Sequence, residues 1–370
     1  MSNRLDARIP VTMLTGYLGA GKTTLLNRIL GGDHGRRYAV VVNEFGEIGI
    51  DGELIVGADE ELFEMNNGCI CCTVRGDLIR TLHMLLRRDA AKARPFDAII
   101  VETTGLADPG PVAQTFFVDP FLRERTVLDS VTTVVDALHI ERRLEDSREA
   151  VEQIAFADQI VLNKTELLGP AALDAVEARI ARINPFAPIH RAQRGNVALD
   201  QLLDRGGFDL ARITQHEAGF LHPAHDEHGH VHDEHCGHGH ADDDAAALAG
   251  EEPRDRVVVS DHVHDAGITS VALTSHVPMD GGAVGRWLEA LVAARGADIL
   301  RAKGIVDVAG EPRRLVFQAV HMLLEGDLQQ PWKDGEPRST RLVFIGRRLD
   351  RAALQAGLDA CKASPASMSG

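Results

Sequence analysis

One run of residues, Gly16-Tyr17-Leu18-Gly19-Ala20-Gly21-Lys22-Thr23, limits what this chain can fold into more than any other part of it. It fills every position of a G-x-x-x-x-G-K-T phosphate loop, follows an apolar, β-prone stretch at residues 9–14, and opens a helical stretch that stops at Gly31-Gly32. Such a loop works only between a strand and a helix. Glycines let the backbone curl so that successive N–H groups point inward at phosphate oxygens, and the helix adds its positive N-terminal end. Gly16, Gly19, Ala20, Gly21, Lys22, Thr23 and Thr24 are therefore candidate nucleotide-binding residues, with Lys22 placed for the β- and γ-phosphates and the Thr23 hydroxyl for Mg²⁺.

The pattern around the loop predicts the rest of the fold. Short apolar stretches at residues 38–43, 98–102, 131–135, 159–162 and 188–191 alternate with amphipathic ones such as 76–88 and 138–155. Alternation of that kind predicts an α/β domain, a P-loop NTPase with a mostly parallel sheet covered by helices on both faces, over residues 1–212. Composition then changes. Residues 213–266 are rich in His, Asp and Glu and poor in large apolar side chains, so they read as a flexible linker that buries no core of its own. Periodicity resumes with strands expected at 268–277, 299–308, 315–323 and 341–345 and helices at 281–295 and 351–362, which predicts a small α+β domain over residues 267–370.

Three further clusters carry chemistry. Glu102-Thr103-Thr104-Gly105 ends the 98–102 strand: a carboxylate there supports the Mg²⁺ shell, and the Gly105 N–H is a candidate sensor of the γ-phosphate. With Lys22 and Thr23, Glu102 and Gly105 make the candidate catalytic set, acting by positioning and charge stabilisation. Asn163-Lys164-Thr165-Glu166 follows the 159–162 strand as a guanine reader does, Glu166 accepting from the base while Asn163 and Lys164 pack its ring. Cys69, Cys71 and Cys72 place three thiols within four residues, a spacing suited to one soft or borderline cation; Zn²⁺, with thiolates at about 2.3 Å, is the default and Co²⁺ the alternative. Glu47 or a histidine is a candidate fourth ligand, and redox switching is the rival use of such thiols.

The linker adds eight histidines and a cysteine between His222 and His240. His225, His228, His230, His232, His235, His238 and His240 are candidate ligands for divalent metal, against the plainer reading of a solvated tract without a role. A net charge of −16, from 39 basic and 55 acidic residues, argues against a general nucleic-acid binder. No apolar run approaches a membrane span, and the expected compartment is the cytoplasm.

Taken in order, these pieces resemble the CobW-like family of metal-chaperone GTPases. The residues that carry the resemblance are 16–24, Asn43-Glu44-Phe45-Gly46-Glu47 with Asp51, 68–72, 102–105 with Asp108-Pro109, and 163–166; in the C-terminal part they are 301–304, 315–318, Pro331-Trp332 and 344–346. The resemblance implies slow, metal-modulated hydrolysis of GTP to GDP with Mg²⁺, coupled to delivery of Zn²⁺ or another transition metal to a client metalloprotein. Glu166 departs from the commoner aspartate, which touches base selectivity only. Two rivals stay open at this point: a metal buffer working through the histidine tract, and a small-molecule P-loop kinase. A homodimer across the nucleotide is compatible with the sequence and not required by it.

Overall fold

The computed structural model describes residues 8–32, 35–44, 61–66, 72–90, 96–206, 267–333 and 335–364. The expected linker, Glu47, Cys69, Cys71 and the histidine tract lie outside the described residues.

Strand β1 (Ile9–Thr15) lies between β4 (Ala98–Glu102) and β5 (Thr126–Asp136). Beyond these come β2 (Tyr38–Glu44) and β3 (Glu61–Asn66) on one side, and β6 (Gln159–Asn163) and β7 (Ile189–Arg191) on the other. The order is β3-β2-β4-β1-β5-β6-β7, with every neighbouring pair parallel. An all-parallel sheet must be covered on both faces, and β4 is buried at every position. Its side chains alternate: Ile100 joins the core under α1 (Lys22–Leu30), with Leu25, Leu26 and Ile29, whereas Ile99 and Val101 face the opposite layer. That layer holds α2 (Cys72–Asp89), whose Leu78, Leu82 and Leu85 recur at helical spacing and are fully buried, and α3 (Pro109–Val118).

The amphipathic stretch expected at 138–155 is two helices, not one. Ser147 has φ −135° and ψ 118°, and its hydroxyl accepts from Ala150 N at 3.3 Å, so it ends α5 (Ile140–Asp146) and caps α6 (Arg148–Phe156). The short α4 (Pro120–Arg125) and the longer α7 (Pro170–Ile183) complete this domain. No helix among the described residues is long and apolar enough to cross a membrane.

The C-terminal part is an antiparallel sheet in the order β11-β10-β9-β12-β8, formed by β8 (Ile268–Ser275), β9 (Ile299–Val306), β10 (Arg313–Val320), β11 (Leu323–Pro331) and β12 (Thr340–Arg347). The expected strand at 315–323 is cut by His321, whose φ of 50° turns the chain back into edge strand β11. Helices α8 (Gly281–Arg295) and α9 (Arg351–Asp359) cover one face through Val284, Leu288, Leu354 and Leu358. The other face is not left to solvent: Ile268, Leu300, Ile305 and Ile345 share one core with Ile154, Ile180 and Ile183 of the first domain. Arg301 donates to Phe156 O at 2.9 Å, the carbonyl end of α6, and is paired with Asp158, which also accepts from Lys303 at 3.2 Å. The two domains thus pack as one body across buried apolar surface and a buried ion cluster.

Candidate nucleotide site

The phosphate loop sits where the sequence put it, at the carboxyl end of the central strand β1. Gly16 has φ 139°, and a Cβ there would lie 2.2 Å from Val134 O, so only glycine lets the loop leave the sheet so close to β5. The loop runs into α1 through Gly21, in the left-handed region. Lys22 is buried, and its Nζ donates to Gly16 O at 2.8 Å and Tyr17 O at 3.4 Å, which holds the ammonium over the loop. Thr23, half-buried in the first turn of the helix, has its Oγ1 3.4 Å from Glu102 Oε1.

Glu102 reaches this point because β4 is paired to β1 in parallel register, Leu14 opposite Glu102, and Thr103 N continues the ladder by donating to Leu14 O at 2.9 Å. The next residues fold back against the loop. A Cβ on Gly105 would stand 2.6 Å from Leu18 N, so the segment touches the phosphate loop at its backbone. The oxygen donors of Thr23 and Glu102 suit a hard cation that keeps several waters, and Thr104 Oγ1, buried with no hydrogen-bond partner among the described residues, adds an unsatisfied oxygen at the same strand end. The residues present therefore fit Mg²⁺, with Thr23 and Glu102 as the groups that would hold it.

The Asn163–Glu166 segment is brought to the same end of the sheet by β6. Asn163 is 2% exposed, and both ends of its amide are spent on backbone: Nδ2 donates to Ala20 O at 3.0 Å and Oδ1 accepts from Gly195 N at 2.9 Å. Through these two bonds Asn163 braces the phosphate loop. Lys164 has φ 62° and donates to Asp136 Oδ2 at 2.7 Å, and Glu166 is exposed on a single 3₁₀ turn.

Asp136 was not picked out from the sequence. Burial disfavours its charge, but hydrogen bonds from Lys164 and from His139 Nδ1 at 2.9 Å outweigh it and hold the carboxyl below its ordinary range. Its position at the end of β5, between the Glu102 strand and the Asn163 strand, is the signal that would have found it. Asp136 and Lys164 border a cavity of about 270 Å³ beside the outer rim of the phosphate loop, lined also by Tyr17, Gly19, His139 and Arg143. Arg143 closes one wall with its guanidinium carbon 5.0 Å from the Tyr17 ring centre.

Gly16, Gly19, Ala20, Gly21, Lys22, Thr23, Thr24, Glu102, Gly105, Asn163, Lys164 and Glu166 all belong to this end of the sheet. Of the expected metal ligands, Glu47, Cys69, Cys71 and the seven histidines from His225 to His240 lie outside the described residues, and Cys72 enters only as the first residue of α2.

Comparison with known proteins places this arrangement. The family model of the CobW/HypB/UreG nucleotide-binding domain matches residues 10–191, and that of the cobalamin synthesis protein cobW C-terminal domain matches residues 268–362. The chain is 36% identical to the zinc chaperone YjiA of Escherichia coli, over 94% of this chain and 97% of that protein. It is 38% identical to the zinc chaperone CobW of Pseudomonas aeruginosa, over 94% of this chain and 90% of that one. The crystal structure of Zn(II)-bound YjiA GTPase from E. coli aligns with a TM-score of 0.69 at 30% identity, covering 96% of this chain and 99% of that chain.

Proposed function

The chain belongs to the CobW family of GTPases, with both the nucleotide-binding and the C-terminal domain of that family, and from this premise we propose that it is a GTP-hydrolysing zinc chaperone. The observation that carries the reading is the wiring of one sheet end: Lys22, Thr23, Glu102, Gly105 and Asn163 converge there from three separate stretches of sequence. GTP binds with its phosphates in the curl of residues 16–24. Lys22 gives up its hold on Gly16 O and Tyr17 O to reach the β- and γ-phosphates, Thr23 and Glu102 hold Mg²⁺, and Gly105 faces the γ-phosphate. When bound, Mg²⁺ supplies charge neutralisation for phosphoryl transfer. Glu166 and Lys164 select the guanine base.

The cargo is Zn²⁺, taken by the thiolates of Cys69, Cys71 and Cys72 with Glu47 or a histidine as fourth ligand, and a client metalloprotein receives it. Residues 43–75 connect the phosphate loop to the strand that ends in Glu102, so nucleotide and metal bias the same stretch of chain. By linkage each ligand must then change the affinity of the other by the same factor. Two names among the relatives support the cargo, zinc chaperone YjiA and zinc chaperone CobW.

The test is Zn²⁺ affinity, by competition with a calibrated chelator, in the presence of Mg²⁺ with a non-hydrolysable GTP analogue and then with GDP. A nucleotide-dependent difference of about tenfold, or ~1.4 kcal/mol, that disappears when Cys69, Cys71 and Cys72 are changed to serine is the expected result. Equal Zn²⁺ affinity in both nucleotide states overturns the coupling and leaves a metal buffer.

A further inference from the structure

The segment that carries Gly105 is held from two sides, and both holds lead to the C-terminal domain. On one side, Gln153 of α6 donates through Nε2 to Gly105 O and to Ala107 O, both at 3.1 Å, and is 1% exposed. The helix is fixed to the sheet at that very residue, since Thr133 Oγ1 donates to Gln153 O at 2.8 Å. Consecutive residues project about 100° apart around a helix axis. Gln153 therefore points at the 105–107 segment while its neighbour Glu152 points at the second sheet, where it is paired with Arg347 of β12 as well as with Arg148 at 2.5 Å. Glu152 is 6% exposed; Arg347 meets it from a largely buried position, whereas Arg148 reaches it from solvent.

On the other side stands His321, the turn residue between β10 and β11. Its ring lies against Phe156 of α6, centroids 6.0 Å apart, and its Nε2 comes to 4.0 Å from Asp108 Oδ1. Asp108 caps α3 by accepting from Gly110 N at 2.9 Å, and a Cβ on Gly110 would stand 2.2 Å from the His321 ring nitrogen. Glycine at 110 is what allows the ring to seat on the first turn of α3. Residues 105–110 are thus bracketed, Gln153 at the start and His321 at the end.

We infer that Gln153 is the positioning residue of the γ-phosphate-sensing segment, and that the C-terminal domain, through Arg347 on Glu152 and His321 on the start of α3, sets the preference of the site for triphosphate over diphosphate. The inference rests on the reading of Gly105 as the residue facing the γ-phosphate. Its physical content is simple. The segment has to move when a γ-phosphate arrives or leaves, and Gln153 and His321 are the groups it must move against. A shift of the C-terminal sheet on α6, such as a bound client would impose, then changes the cost of that movement without touching the nucleotide.

The experiment uses the full chain with Mg²⁺, and measures equilibrium affinity for a fluorescent non-hydrolysable GTP analogue and for fluorescent GDP. Gln153→Glu keeps the shape and replaces the donor by an acceptor facing two carbonyls. Arg347→Met removes the C-terminal charge from Glu152, and His321→Asn withdraws the ring from α3 with a residue that tolerates the left-handed backbone. Each is expected to change the ratio of the two affinities by about fivefold or more, with GDP affinity held within about twofold. Gln153→Glu and Arg347→Met together are expected to fall short of the product of their separate effects. An unchanged ratio in both Arg347→Met and His321→Asn overturns the role of the C-terminal domain. Parallel loss of both nucleotides in every variant marks a purely structural role and overturns it as well. A wild-type chain that binds GDP but shows no preference between the two nucleotides instead defeats the underlying reading of Gly105, and this inference with it.

Discussion

Asn163 Nδ2 donates to Ala20 O across 3.0 Å, a contact between residues 143 positions apart in the chain that fastens the phosphate loop to the end of β6. The same amide accepts from Gly195 N, so three loops at one end of the sheet meet on a single side chain. Replacing Asn163 by Ala leaves a buried carbonyl and a buried N–H without partners, at a cost of about 1–3 kcal/mol each way such groups are desolvated. Asn163→Ala is expected to lower the urea midpoint and to weaken GDP and GTP binding together. Asn163→Asp, which keeps only the Gly195 contact and sets a carboxylate against Ala20 O, is expected to recover none of the nucleotide affinity. Urea unfolding and nucleotide titration of the two variants check this; an alanine variant with wild-type affinity removes the brace from the account.

Gly105 leads to a narrower expectation. A methyl group there would stand 2.6 Å from Leu18 N, a backbone atom with little freedom to retreat. Gly105→Ala must therefore push the sensing segment away from the phosphate loop, and overpacking of that kind costs about 1–3 kcal/mol. The expected outcome is a loss of affinity for a non-hydrolysable GTP analogue of about tenfold or more, with GDP affinity little changed. Titration of both nucleotides decides it. Equal weakening of the two would place the clash in the loop that both share.

What could be read from the sequence, and what could not, divides along the range of the interactions. The phosphate loop and the strands at 38–44 and 98–102 are local patterns, glycine placement and apolar runs, and each lies within a residue or two of its expected place. The break at Ser147 was legible in principle, since a serine before Arg-Glu-Ala is a helix start, but the apolar periodicity on either side hid it. Edge strand β11 has a glycine, a proline and mostly polar residues, LLEGDLQQP, and its pairing with β10 is what makes it a strand. Asp136 is marked only by its place at the end of β5, and Gln153 and His321 carry no local signal at all. Their roles exist only once α6 lies on the sheet and the C-terminal domain lies on α6.

The packing of the two domains gives a third expectation. Asp158 and Arg301 are 6% and 5% exposed at their side chains, and Lys303 completes the cluster. Removing one member of a buried ion pair strands the others, at about 3–5 kcal/mol. Asp158→Ala is expected to destabilise the chain by that order and to separate unfolding of the C-terminal domain from that of the nucleotide domain, seen as a second transition in denaturant. Asp158→Asn, which still accepts from Arg301, is expected to be milder. A single unshifted transition in the alanine variant would show that the apolar core around Ile154 and Ile305 holds the domains without the ions.

The last expectation concerns acid. Burial pushes the pKa of His321 below its ordinary value, partly opposed by the Asp108 carboxylate, and burial also lowers that of the half-buried His190, with Arg205 adding to the effect. Both rings are therefore held neutral in the fold while their unfolded counterparts take up a proton near the ordinary histidine pKa of about 6.5. In that range the unfolded chain binds more protons than the folded one, so stability rises with pH. The contribution is present above about 6.5 and is lost as pH falls from there through the lowered folded-state values. Urea midpoints measured from pH 7.5 down to 5.5 are expected to drop, and to drop less in a chain carrying both His321→Asn and His190→Asn. The two sites also differ in consequence. Protonation of His321 places a charge beside Asp108 and the capped start of α3, which draws that carboxylate away from Gly110 N, whereas His190 lies on edge strand β7, at the far side of the sheet from α3. Of these two rings, acid is accordingly expected to weaken GTP-analogue binding through His321 and not through His190, and a His321→Asn chain that keeps the wild-type pH dependence of that affinity would detach the ring from the sensing segment.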